Sequence, residues 1–205
     1  MTGKITVLKY WLFSGVVLLA LGCSQPKEST QEGEAAEVEE TADEKQEEKP
    51  QIASPRKTAK GQIGAIGVTV DYGSPAVKGR EIWGGLEPYG KVWRAGANET
   101  TSIEFAGDVM IGDTKVTAGK YGFYLIPNEN EDWVAVINTD WSREQHGAWG
   151  AYNYNESNDV VRVNIAPQWG DAVQERLEYT VGEDGITLAW EKVKVKLPVG
   201  TMAGA

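Results

Sequence analysis

A single cysteine, a single histidine and a shortage of basic charge bound what this chain of 205 residues does. One thiol cannot close an internal disulfide, so no covalent staple is expected in the fold. His146 is the sole histidine, which leaves no second imidazole for a paired-His zinc site and no H-E-x-x-H. A Ser–His–acid arrangement would need His146 itself. It lies in the loop-like "REQHGAWG", and no G-x-S-x-G elbow accompanies it. The net charge of −10 argues against nucleic acid, which wants a basic face. Helical periodicity is also missing. No window of about 12 residues carries an apolar stripe at helical spacing, and "DAVQERLEY" (171–179) offers one or two turns at most. Nothing calls for a cofactor or a metal. "GQIGAIG" (61–67) spaces its glycines as G-x-x-G-x-x-G and leads into a strand, so it reads as a flexible lead-in or β-bulge. "SPRK" (54–57) matches S-x-x-K, but the companion elements of that enzyme class are absent. "NENED" (128–132) and "NESND" (155–159) alternate oxygen side chains but lack the glycine and distal Glu of a calcium loop.

What is present begins with Lys4 and Lys9, followed by an apolar run from Tyr10 to Gly22. At thirteen residues the run suits a signal-peptide core and falls short of the roughly 20 needed to span a bilayer. It ends in "ALGC", which resembles the lipobox of bacterial lipoproteins, with Ala20 where Leu is usual and Leu21 where a small residue is usual. The resemblance implies that Cys23 is acylated and becomes the first mature residue. The expectation is therefore an exported protein, held by lipid to the bacterial cell envelope, at the outer membrane on its periplasmic or surface face. Residues 24–50 hold ten acidic and three basic residues and only one large aliphatic, Val38. Such a segment cannot bury enough apolar surface to offset its ordering entropy. The sequence thus divides into a signal peptide (1–22), an acidic disordered tether (23–50) reaching roughly 30 Å, and one domain (51–205).

The domain reads as all-β. "IGVTVDY" (66–72) alternates Ile66, Val68, Val70 and Tyr72 on one face. "TTSIEF" (100–105), "KYGFYLIP" (120–127), "DWVAVINT" (132–139) and "DVVRVNIAP" (159–167) have the same period. "RLEYTV" and "ITLAW" flank the hairpin turn "GEDG", and "KVKVKLPV" (192–199) sets lysines on an exposed face. This many short strands predicts an antiparallel β-sandwich, jelly-roll-like, or a flattened barrel.

Two segments concentrate candidate binding residues. "GKVWRAGANET" (90–100) gathers Trp93, Arg94, Asn98 and Glu99. As structure, it is a turn-rich connection in which Arg94 and Glu99 pair with each other or with Asp71. As function, Asp71, Tyr72, Arg94, Asn98, Glu99 and Trp149 converge on a cleft, because arginine grips carboxylate or phosphate bidentately. "WGAYNYNE" (149–156) strings Trp149, Tyr152 and Tyr154 through polar sequence, and Trp83 lies in the similar "EIWGGLEPYGKVWR". These rings either pack long loops or form a platform for sugar rings.

"YGSPAVKGREIWGGL", "VWRAGANETT", "GKYGFYLIP" and "WGAYNYNESNDVVRV" resemble the domain-of-unknown-function 2911 family of bacterial secreted proteins, over roughly 54–198. The resemblance implies export and frequent lipid anchoring and transfers no activity. The expected function is a ligand- or partner-binding module, its ligand a glycan, a small molecule or an envelope protein. The alternative is a hydrolase-like enzyme that uses carboxylates and arginine on an envelope or glycan substrate.

Overall fold

The computed structural model describes residues 53–202. The expected signal peptide, Cys23 and the expected acidic tether lie outside the described residues. All described residues belong to one of two compact units, Glu48–Ala205.

Three antiparallel sheets build the domain. The largest has six strands in the order β1-β2-β3-β6-β7-β8: β1 (Arg56–Ile63), β2 (Ile66–Gly73), β3 (Thr101–Phe105), β6 (Gly119–Ile126), β7 (Trp133–Asn138) and β8 (Asp159–Ile165). A long hairpin, β9 (Gln168–Gly182) with β10 (Gly185–Pro198), forms the second layer. A small sheet joins β4 (Val109–Ile111), β5 (Thr114–Val116) and β11 (Gly200–Thr201). The layers form a sandwich and do not close into a barrel.

Period two explains the core. Val68, Val70 and Tyr72 of β2, Ile103 and Phe105 of β3, Tyr121, Phe123 and Leu125 of β6, and Trp133, Ala135 and Ile137 of β7 all turn inward and are buried. They meet Leu177 and Tyr179 of β9 and Ile186, Leu188, Trp190, Val193, Val195 and Leu197 of β10. The Tyr72 and Tyr179 rings touch edge-on at 4.7 Å. Trp83 sits against Trp133 at 4.7 Å, Trp93 at 5.5 Å and Trp190 at 5.7 Å, so a cluster of indoles from both layers locks one end of the sandwich. Truncating a ring such as Trp133 would cost about 3–5 kcal/mol.

Several local expectations are corrected. "GQIGAIG" is neither a lead-in nor a bulge: β1 and β2 pair in unbroken register from Arg56↔Gly73 to Ile63↔Ile66, and the turn falls at Gly64. "DAVQERLEY" is strand within β9, because cross-strand burial of Leu177 and Tyr179 outweighs its helix-favouring Glu, Gln and Ala. "REQH" forms a one-turn helix, α1 (Arg143–His146), capped by the Ser142 side chain accepting from the Gln145 N–H.

Candidate functional site

The outer face of the large sheet carries a polar row. Reading across the strands at one level, Thr58 pairs with Asp71, Asp71 with Ser102, Ser102 with Gly122, and Gly122 with Asn138. Alternation forces this, since each is one residue from a core residue. The segment 139–158 rides over this face. Gly122 permits it: a Cβ there would stand 2.3 Å from the Asp140 carbonyl oxygen. Tyr124 follows, its ring 5.0 Å from that of Tyr154.

Where this segment overhangs β3 and β6 lies a cleft of about 150 Å³. Ser102 and Lys120 lie at the sheet, Arg56, Glu99 and Thr100 at one rim, and Trp141, Arg143, Glu144 and Trp149 opposite. Lys120 Nζ sits 4.7 Å from the Trp141 ring centre and 3.2 Å from Asp71 Oδ2. The Arg143 guanidinium lies 5.0 Å over the Trp149 ring. Each tryptophan therefore holds a cation by ring quadrupole and apolar contact. Among the described residues, Arg143 has no carboxylate within ion-pair reach. Arg56 approaches Glu99 at 3.7 Å, a loose pair with both side chains more than a third exposed, and it also donates to the Asp71 and Thr100 carbonyls. Such a surface pair contributes at most about 1 kcal/mol and exchanges readily for another anion.

Asp71 is held below the ordinary carboxylate range. Burial pushes it up, but hydrogen bonds from Thr58 and Lys120, with the charges of Lys120 and Arg56, outweigh that push. Glu144 is also lowered, by its own backbone N–H and by the Ser142 hydroxyl. A general acid at neutral pH needs the opposite shift. Among the described residues the raised carboxyl is Glu87, pushed up to about 7 by burial against the opposing charges of Arg94 and Arg80, and it does not line the cleft. Among the described residues no cluster of three or more His, Cys, Asp and Glu side chains is placed to hold a metal ion.

The residues anticipated from sequence separate into groups. Glu99 and Trp149 line the cleft, and Asp71 anchors its Lys120. Tyr72 and Trp93 are core residues: the Tyr72 hydroxyl accepts from the Tyr179 N–H, and Trp93 donates to the Gly96 carbonyl. Trp93 also pairs with Leu125 beyond the end of β3. Trp83 is core as well, presenting one edge to a separate hollow. Arg94 pairs with neither Glu99 nor Asp71. It runs beneath Gly150, where a Cβ would stand 3.0 Å from Arg94 Cδ, so the left-handed Gly150 (φ 58°) lets the loop close over it. Its Nε is buried without a hydrogen-bond partner among the described residues. Asn98, itself left-handed at φ 63°, donates to the Ser54 carbonyl. Tyr154 braces the overhang by donating to Asp159 at 2.6 Å, and Tyr152 is exposed.

Sequence reasoning missed Arg56, Ser102, Lys120, Trp141 and Arg143. One signal was available: "SREQ" is a capping-box pattern that marks a helical turn and orients Trp141 and Arg143 around it. The juxtaposition of Lys120 with Asp71 depends on strand order, which one sequence does not show.

Comparison with known proteins adds the family. No curated protein and no solved structure matches the chain. A family profile described as "Protein of unknown function (DUF2911)" matches residues 54–199, nearly the whole folded domain including every residue lining the cleft, and the chain belongs to that family.

Proposed function

We propose that this protein is an exported, lipid-anchored binding module whose cleft beneath α1 takes the anionic head of a small envelope ligand, a carboxylate or phosphate group. The observation that carries the reading is Arg143, stacked on Trp149, without a carboxylate partner among the described residues and facing the same cleft as Arg56 and Lys120. Guanidinium groups bind planar anions bidentately, and contact with an indole restrains the side chain in advance, which lowers the entropy lost on binding. Ser102 lies at the cleft's base, and the Thr100 hydroxyl beside it is engaged with the Gly150 carbonyl. A volume of about 150 Å³ suits one charged group with a few carbons, such as an acidic sugar unit, more than a whole drug-sized ligand. Acylation of Cys23, expected from "ALGC", would keep this site at the envelope.

Calorimetric titration with glucuronate, with inorganic phosphate as the second anion and glucose as the uncharged control, tests the reading. One or both anions are expected to bind and glucose not, with Arg143→Ala weakening the affinity at least ten-fold. Equal binding of glucose and glucuronate, or an unaltered Arg143→Ala variant, would refute it.

A further inference from the structure

The β9–β10 hairpin is regular at its tip and broken elsewhere. Ala189 pairs with Glu178, Glu191 with Gln174, and Val193 with Trp169, so β9 carries extra residues on both sides of Glu191. Glu191 itself stands at φ 54°, a left-handed conformation unfavourable for a residue with a side chain. Strain of this kind persists where the surrounding structure imposes it, and it accumulates at functional surfaces. The surplus of β9, including Gly170, Asp171 and Ala172, borders a hollow of about 270 Å³. A second hollow of about 280 Å³ is lined by Trp83, Tyr89, Arg80 and Glu81. Trp169, Glu191 and Lys192 line both. Sharing these three residues, the hollows adjoin as a two-part depression.

We infer that this depression is a second binding site, for a neutral oligosaccharide chain. Trp169 is 51% exposed, whereas Trp83, Trp93, Trp133 and Trp190 are buried. Its broad, rigid ring gives the apolar face of a sugar a surface to lie on at small entropic cost. Tyr89 extends the aromatic surface into the second hollow, where burial first, and then the charges of Glu129, Glu81 and Glu191, push its hydroxyl up. The remaining lining is hydrogen-bonding and of both signs. Gln168, Gln174, Asp171 and Glu191 line it together with Lys192 and Lys194. Planar amides and carboxylates beside amines match the hydroxyls of a sugar, and balanced charge favours a neutral ligand. Trp83 lines the second hollow, and its buried Nε1 has no acceptor among the described residues. An extended peptide is the less suitable occupant. Peptides join sheets by adding a strand to a regular edge, and both irregularities of the ladder fall within this stretch. The inference is independent of the anion cleft, since no residue lines both sites.

Affinity electrophoresis and calorimetry of the full chain against cellohexaose, xylohexaose and laminarihexaose test it. At least one hexasaccharide is expected to bind, Trp169→Ala to weaken it ten-fold or more, and Glu191→Gln to weaken it several-fold. Arg143→Ala should leave it unchanged. Trp169 is half exposed, so Trp169→Ala should retain the native near-ultraviolet dichroism of the buried indoles. Absence of binding to all three sugars at millimolar concentration, binding indifferent to Trp169→Ala, or capture of an extended decapeptide in place of the sugars would overturn the inference.

Discussion

Glu87 shows how much one side chain can shift the balance of the domain. It sits in the turn-rich 82–90 segment, its N–H donating to the Ile82 carbonyl and its own carbonyl accepting from Gly84. Burial raises its carboxyl from the usual 4.5 to about 7 despite Arg94 and Arg80. The folded state therefore holds the proton more tightly than the unfolded chain. Its protonated form is favoured in the fold, so this contribution is complete below pH 4.5 and declines as pH rises toward 7. The loss amounts to roughly 3 kcal/mol. Denaturant midpoints should fall across that window, and Glu87→Gln should flatten the fall; a Glu87→Gln profile that parallels the parent would remove Glu87 as the cause. Asp71 has the opposite sign, its lowered value adding stability that disappears only as pH drops into the acid range. Residue chemistry was partly legible in the sequence. Glu99, Trp149 and Asp71 were anticipated and do gather around one cleft or its anchor. Arg94 drew attention for its charge, yet it became a brace beneath Gly150, because its surroundings are set by a loop that is distant in sequence. Glu87 gave no signal, since an elevated carboxyl depends on burial and not on neighbours along the chain.

At the scale of elements, the cleft exists because β6 passes under the 139–158 overhang. Strands β2, β3, β6, β7 and β8 were legible from period two, since alternation on a half-buried face is imprinted residue by residue. β1 was not, because "RKTAKGQI" offers only small or polar side chains before its final Ile63 and is held by its unbroken pairing with β2. The strand nature of 171–179 was hidden for a related reason: burial from a facing layer overrides local preference. Gly122 is the element-level pivot. Its Cβ position is 2.3 Å from the Asp140 carbonyl, so Gly122→Ala must displace either β6 or the overhang. The expected cost is about 2–3 kcal/mol, read by chemical denaturation, together with loss of the cleft's anion affinity. Retention of both would show that the overhang does not depend on this close approach.

For the whole molecule, the proposal joins a tether to a domain with two faces for ligands. The apolar run before Cys23 and the acidic segment after it are expectations from composition and lie outside the described residues. If Cys23 carries acyl chains, the intact mass of the detergent-extracted protein will exceed that of the residues from 23 onward by the mass of the lipid. Cys23→Ala should then shift the protein from the membrane to the soluble fraction; an unmodified mass with unchanged partitioning would contradict the anchor. Strand order, by contrast, needed the structure, and with it the polar row that forms the base of the cleft.

The central claim is that the cleft holding Arg143, Lys120, Trp141 and Trp149 receives an anionic head group. The most direct measurement is a titration with glucuronate or phosphate monitored through the indole N–H resonances of the tryptophans. The account predicts saturable shifts at Trp141 and Trp149, unmoved signals from the buried Trp83, Trp93, Trp133 and Trp190, and loss of the response in Arg143→Ala. Shifts centred on any other tryptophan, or none with either anion, would contradict it.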